Sequence, residues 1–204
     1  MRPSDTPSVR VAGTDASANS GCNQNAAAAE LLAAEFRRRA PAFELRPTTP
    51  DDEPFLRRLF FLTQAEIVPQ PALLLQMQYD SRRFAYDIQY PGAMDLVVWR
   101  GSAPIGRLLS DWIDREIVDL IDLAVAPDDR GGAAALHLMR AATTVADRLG
   151  RTLDLSVRPG AAVANLYLRL GFAPLSKDET PVRMRRPPRT PPKMPQYNSG
   201  SQHP

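Results

Sequence analysis

The amino-acid sequence predicts an α/β protein: one central mixed β-sheet with helices on both faces. Three observations carry that expectation. Strand-like and helical stretches alternate through the middle of the chain. Three strands succeed one another between 94 and 125 through short turns, which makes part of the sheet antiparallel. A long and a short helical stretch then separate the remaining strands. The predicted order is β–α–α–β–β–β–α–β–α–β–β.

The first element is Phe43-Glu44-Leu45-Arg46, which alternates apolar and polar residues as a strand does. Pro47 and Pro50 end it. Thr49 or Asp51 then caps a helix over 51–62, with Phe55, Leu56, Leu59, Phe60 and Leu62 as its apolar face. A second helix runs from Pro71 to Gln89, with Leu74, Leu75, Gln78 and Tyr79 at helical spacing, and Pro91-Gly92 breaks it. Strands follow at 94–99, 104–112 and 116–125, the first two joined at Gly101-Ser102. A long helix covers Arg130 to Leu149 and stops at Gly150. The remaining elements are a strand at 152–157, a short helix at 161–170 closed by Gly171, and strands at 172–175 and 182–186.

The folded unit is expected at 43–186. Residues 1–42 read as a disordered extension, polar over 1–24, with a short marginal helix at 25–40 that Asn25 caps and Arg37–Arg39 close. Residues 187–204 hold six prolines and read as a disordered tail.

Composition limits the function classes. The chain has 204 residues, with 25 Lys+Arg against 23 Asp+Glu, and a net charge of +2 argues against nucleic acid as partner. One cysteine, Cys22, and two histidines, His137 and His203, leave no set of thiolates or imidazoles for a metal centre. His137 is expected to pack or face solvent. No apolar run reaches the ~18–20 residues of a membrane span. The N-terminal stretch lacks the apolar core of a secretory signal, so the expected location is the cytoplasm.

The segment Leu123-Ala124-Val125-Ala126-Pro127-Asp128-Asp129-Arg130-Gly131-Gly132-Ala133-Ala134-Ala135-Leu136 ends a strand, turns, and opens a helix on very small residues. Two readings fit. The uncovered N–H groups of the first turn, the helix dipole and Arg130 make an anion site; or the small residues pack the helix tightly on the sheet. A second segment, Ala164-Asn165-Leu166-Tyr167-Leu168-Arg169-Leu170-Gly171-Phe172, is a helix carrying Leu-Tyr and closed by Gly-Phe.

Together the two segments resemble the GNAT superfamily of acyl-CoA-dependent N-acetyltransferases. Val125-x-Pro127, Arg130 and Ala135 match the family's Arg/Gln-x-x-Gly-x-Gly/Ala signature and its preceding strand, with Ala133 standing where the signature has Gly. Ala161 and Gly160 stand where the family usually has an Asn. The resemblance covers about 43–186 and implies a GNAT-like mixed sheet. It implies transfer of an acetyl group from acetyl-CoA, as co-substrate and without a metal, to a primary amine in a ternary complex.

The resemblance further implies that the strand ending at Leu123, Ala124 and Val125 splays from the strand at 152–157 and binds the pantetheine arm through its backbone. The N–H groups from Arg130 through Gly131, Gly132, Ala133 and Ala134 to Ala135 would hold the pyrophosphate, with Asn165 also near the cofactor. Tyr167 would be the general acid, and an acid on the 116–125 strand, Asp119 first and Asp122 second, the general base. Strict alternation sets Asp119 on one face of that strand with Leu123, and Asp122 on the other with Ala124. Five acids between Asp111 and Asp122 either favour a cationic acceptor or form a solvated turn. The acceptor is a small-molecule or peptide amine and the chain a monomer or homodimer. Ala133 and the missing Asn keep alive a catalytically weak GNAT-fold module that binds acyl-CoA or a protein, and a nucleotide-binding scaffold is a third reading.

Overall fold

The computed structural model describes residues 15–67, 69–131, 133–161, 163–176 and 180–189, with side chains from residue 24 onward. Seven strands form one sheet in the order β1-β2-β3-β4-β5-β7-β6. The first four make an antiparallel meander: β1 (Phe43–Pro47), β2 (Met94–Arg100), β3 (Ala103–Asp111) and β4 (Ile117–Val125). The Gly101-Ser102 turn joins β2 to β3, with Gly101 at φ +60° where a side chain would strain the backbone. β5 (Thr152–Val157) lies parallel to β4, and β7 (Val182–Arg186) pairs antiparallel with β5. The two-residue β6 (Ala173–Pro174) closes the edge. The expected sheet is therefore present, with strand ends within about two residues of those read from the pattern.

Among the described residues, five α-helices accompany the sheet: α1 (Asp15–Arg39), α2 (Glu53–Ala65), α3 (Ala72–Gln89), α4 (Ala134–Leu149) and α5 (Ala164–Arg169). α1 and α4 cover one face. The centre of their contact is apolar, where Leu32, Phe36, Leu138 and Leu153 are completely buried with Met139, Leu96, Leu108 and Val118 around them, and its rim is polar, where Arg39 bonds Thr144 at 2.9 Å and Arg148 reaches Glu35 at 3.4 Å. Alanines 28, 134, 141, 142 and 146 let the two helices lie close to each other and to the sheet. α2 and α3 cover the other face at a greater distance.

The first helix corrects the expected extension. It starts at Asp15 and belongs to the core, because Ala28, Leu32, Phe36 and Ala40 recur every four residues and are all buried. Asn25 does not cap it. The side chain is buried in mid-helix, where Nδ2 donates to the Gly92 carbonyl at 2.6 Å and Oδ1 accepts from the Trp112 N–H at 2.8 Å. Two loops distant in sequence are thereby tied to α1. The buried Glu35 is held by Arg38 and Arg39 at 2.6 and 2.7 Å, and the hydrogen bond from Arg38 keeps its carboxyl below the usual range.

At the other end, Pro187–Arg189 continue from β7, and the Arg189 N–H donates to Asp147 on α4 at 2.7 Å. The same carboxylate takes both guanidinium nitrogens of the buried Arg186 at 2.8 Å. The disorder expected at 1–14 and 190–204 lies outside the described residues.

Candidate active site

β4 is not a regular strand. Leu109 faces Asp122, but the next residue of β3, Ser110, faces Leu120. Ile121 is the extra residue, a β-bulge that reverses the side-chain parity on either side of it. Val118 and Leu120 point to the α1–α4 core, and so does Leu123 beyond the bulge. Asp119, Asp122 and Ala124 then share the opposite face. This corrects the strict alternation read from the sequence: the two candidate acids lie on one face, three residues apart.

That face is the floor of a cleft of about 750 Å³ whose walls are α2, α3 and the turns at 48–50 and 90–93. Its charges are arranged in pairs. Arg107 on β3 holds Asp95 with two bonds of 2.8 Å and stands 3.6 Å from Asp122. Burial opposes the Arg107 charge, but the bonds from Asp95 outweigh it and leave the guanidinium more firmly protonated than usual. Arg82 on α3 reaches Asp122 at 3.2 Å and donates to the Tyr86 hydroxyl at 2.7 Å. Its guanidinium also lies 5.7 Å from the Phe60 ring centre and 5.3 Å from that of Tyr86. Higher on the wall, Glu53 accepts from Tyr79 at 3.0 Å and from Arg83 at 2.6 Å. Burial pushes Tyr79 up to about 12, with the Glu53 bond adding to the rise.

Above this floor the sheet opens. β4 and β5 pair only from Ile117↔Thr152 to Leu120↔Leu155. Beyond the bulge β5 continues to pair with β7 on its other side, through Ser156 and Val157. The β5-facing edge of β4 from Ile121 to Val125 is left without a strand partner, as expected. The chain next makes a short 3-10 turn at Pro127–Asp129 and enters the loop before α4.

That loop differs from expectation in three respects. The helix begins at Ala134, four residues later than predicted, because Arg130 is extended and Gly131 sits at φ +91°. Ala133 is left-handed at φ +61°, a conformation that glycine adopts freely and alanine adopts with strain. Arg130 does not aim at the helix start. Its Nη1 donates to Glu66 at 2.6 Å and its Nε to the Val125 carbonyl at 3.2 Å, so its charge ties the end of β4 to the end of α2. The first bond inside α4 runs from the His137 N–H to the Ala133 carbonyl. Arg130 and Gly131, four residues before Ala134 and Ala135, are not helical, so those two N–H groups have no helical partner, and among the described residues no side chain caps the helix. Gly132 lies outside the described residues.

No protein-family model matches the chain, and no curated protein matches it in sequence. Solved structures do. The PaiA N-acetyltransferase of Thermoplasma acidophilum, in complex with coenzyme A, superposes with a TM-score of 0.58 at 15% identity, covering 71% of this chain and 98% of that one. The ribosomal-protein-S18-alanine N-acetyltransferase of Escherichia coli gives 0.55 at 18% identity, covering 74% and 98%. A protein of Desulfovibrio desulfuricans assigned to the GNAT-family acetyltransferases gives 0.53 at 19%, covering 72% and 99%. The chain has the GNAT fold.

Within that fold, Tyr167 lies near enough to Asp122, a residue of the cleft lining, for the carboxylate charge to act on its phenol. Tyr167 is 7% exposed on α5, its ring 5.8 Å from that of Phe172. Burial pushes its phenol up to about 12, and the nearby Asp122 charge adds to the rise. Asp119 lies on the same face of β4 but outside the cleft lining, opposite Asp111 on β3 and Asp154 on β5, and its charge is felt by Tyr90 and Arg185. Asn165 is exposed on α5, two residues before Tyr167.

Sequence reasoning missed Arg82, Asp95 and Glu53. Their signal was present for Arg82, which is three residues after Tyr79 and four before Tyr86 on one helical face. Among the described residues, no group of three or more His, Cys, Asp and Glu side chains is placed to hold a metal, and no helix is long and apolar enough to cross a membrane.

Proposed function

We propose that this chain is an N-acetyltransferase that moves an acetyl group from acetyl-CoA to a primary amine bound in the α2–α3 cleft. One observation carries the reading: the unpaired edge of β4 runs from the strand residues that line the cleft, Asp122 and Ala124, towards the start of α4, and the Asp122 charge reaches Tyr167. The residues fit acetyl-CoA. The N–H and C=O groups of Ile121–Val125 offer an edge to an extended amide-bearing chain, as a sheet edge offers one to a peptide. The N–H groups of Ala134 and Ala135, with Gly131 before them, suit a pyrophosphate. Coenzyme A in the related PaiA structure supports the same assignment.

In the reaction, the amine nitrogen attacks the thioester carbonyl carbon, a C–N bond forms and the C–S bond breaks. Tyr167 donates its proton to the departing sulfur. A phenol held near 12 keeps that proton at every working pH. The same apolar surroundings disfavour a departing thiolate and raise its pKa, so it takes the phenol's proton more readily. The surplus proton of the amine goes to the carboxylates of the floor. Asp119, on the same face of β4 as Asp122, is the first choice, directly or through water, and Asp122, which lines the cleft, is the second.

The test is acetyl-CoA-dependent release of free thiol over a panel of polyamines, aminoglycosides, amino acids and peptides. Tyr167→Phe keeps the ring and removes the proton, so the transfer rate should fall about 10²-fold while coenzyme A affinity holds. A full rate in the variant removes Tyr167 from the chemistry. Ala133 favours a second reading, a module that binds acyl-CoA without turnover, since its Cβ stands in a loop position that suits glycine. Coenzyme A binding without thiol release from any amine would select it.

A further inference from the structure

Five large apolar side chains of α3 are exposed, and beside Leu74 at 42% four of them stand furthest in water: Leu73 at 73%, Met77 at 59%, Phe84 at 68% and Ile88 at 64%. At 3.6 residues per turn these four fall within an arc of about 60°. Leu75, Tyr79, Arg82 and Tyr86, which face inward, lie on the opposite side of the helix. The stripe therefore takes no part in the cleft. Exposed apolar surface of this extent marks an interaction site, since a helix on a soluble domain otherwise turns polar residues outward.

The spacing names the occupant. The four residues are separated by intervals of four, seven and four, a pattern that reads the same from either end. Its midpoint falls between Asp80 and Ser81. A two-fold axis there, relating antiparallel copies of α3, sets Leu73 against Ile88 of the second copy and Met77 against Phe84. An unrelated partner would impose no such symmetry.

The charges agree. The axis brings the two Asp80 side chains near each other, which alone would repel. Arg83 donates through Nη1 to Glu53 of its own chain, but its side chain is 58% exposed and in an antiparallel pair lies within one turn of Asp80 of the second copy, where its remaining N–H groups offset part of the repulsion. With Leu74 included, the stripe exposes roughly 500–600 Å² per copy, against the ~800 Å² per partner of a standard interface. That area suits a micromolar dimer. The segments outside the described residues are poorer candidates, since 1–14 and 190–204 hold few large apolar side chains among their prolines and serines.

We propose that α3 is a dimerisation helix through which two copies of this chain pack antiparallel about the Asp80–Ser81 midpoint. Because its inner side carries Arg82 and Tyr86, the contact would also brace one wall of each cleft.

Sedimentation equilibrium of the full chain from about 1 to 200 µM reads the association directly. The mean mass should climb from monomer towards dimer. The double variant Met77→Glu/Phe84→Glu should remain monomeric, with circular dichroism and dilute-solution Tm unchanged because both side chains are exposed. In a Cys22→Ser background, Ser81→Cys beside the axis should be captured as a dimer by a short bismaleimide, far above a Cys placed at exposed Arg115. This second arm leaves the apolar stripe intact. A chain that stays monomeric at 200 µM overturns the proposal. So does a double variant that dimerises as tightly as the parent, or cross-linking no better at 81 than at 115.

Discussion

The two faces of the one sheet are built to opposite specifications. Towards α1 and α4, Leu96, Leu108, Val118 and Leu153 meet Leu32, Phe36, Leu138 and Met139 with almost no polar atom between them. Towards α2 and α3, the same strands present Arg46, Asp95, Arg107, Asp119, Asp122 and Asp154, and the helices stand off across a cleft of about 750 Å³. Each charge there has a partner: Arg46 bonds Asp52 and lies 4.5 Å from the Trp99 ring centre, and Arg183 and Arg185 both hold Asp154. The comparison teaches that one face supplies most of the stability by excluding water, while the other uses ion pairs to keep a polar cavity open. Substitutions on the two faces should therefore fail in different ways.

The largest effect is expected on the dry face. Phe36→Ala should cost about 3–5 kcal/mol by leaving a cavity between α1 and α4. Coenzyme A affinity of the folded fraction should not change. Urea unfolding would check it, and a loss under 1 kcal/mol would return α1 to the status of a loose extension.

On the charged face, Arg107→Met should cost about 2–3 kcal/mol, because it leaves Asp95 and Asp122 half-buried without their shared cation. Adding Asp95→Asn should recover part of that loss. A penalty that the second change does not reduce would mean that Arg107 acts by packing alone.

Tyr79 and Tyr167 connect stability to pH. Both phenols rise to about 12 on folding from an ordinary value of 10. The folded chain keeps those protons when the unfolded chain begins to lose them. Their contribution is therefore complete below pH 10 and disappears as pH rises from 10 to 12. Unfolding free energy measured over that window should fall, and Tyr167→Phe should shallow the fall by about one proton. An unchanged slope would show that the Tyr167 ring is hydrated.

The smallest effect is at the join between the faces. Ala133→Gly should stabilise the chain by about 1 kcal/mol by relieving the left-handed alanine. It should leave coenzyme A affinity unchanged or improve it. Destabilisation would mean that the Ala133 methyl makes a contact worth more than its strain.

Most of the elements were legible in the sequence because each rests on local signals. The strand at 152–157 was read with its observed ends, and Gly101-Ser102, Gly150 and Gly171 punctuated their elements as expected. The first helix was misjudged for the converse reason. Its alanine-rich stretch has weak amphipathicity by itself, and only α4 lying against it explains why Ala28, Leu32 and Phe36 are buried. Tyr167 could be singled out from its neighbours in the chain, whereas helical spacing could set Arg82 beside Tyr79 and Tyr86 but not name its partner Asp122, forty residues away.

By itself the sequence determined the alternation of strands and helices, the antiparallel meander, and a small-residue turn between a strand and a long helix. These follow from periodicity and turn chemistry, which act over a few residues. Only the tertiary structure decided which residues share a face. The bulge at Ile121 arises from pairing β4 against β3, and it moved Asp119 and Asp122 to the same side. The left-handed Ala133 and the engagement of Arg130 with Glu66 likewise depend on where α2 and α4 lie against the strand end. Period-two alternation is a property of an ideal strand, and a single extra residue, favoured by neighbours far away in the chain, overrides it.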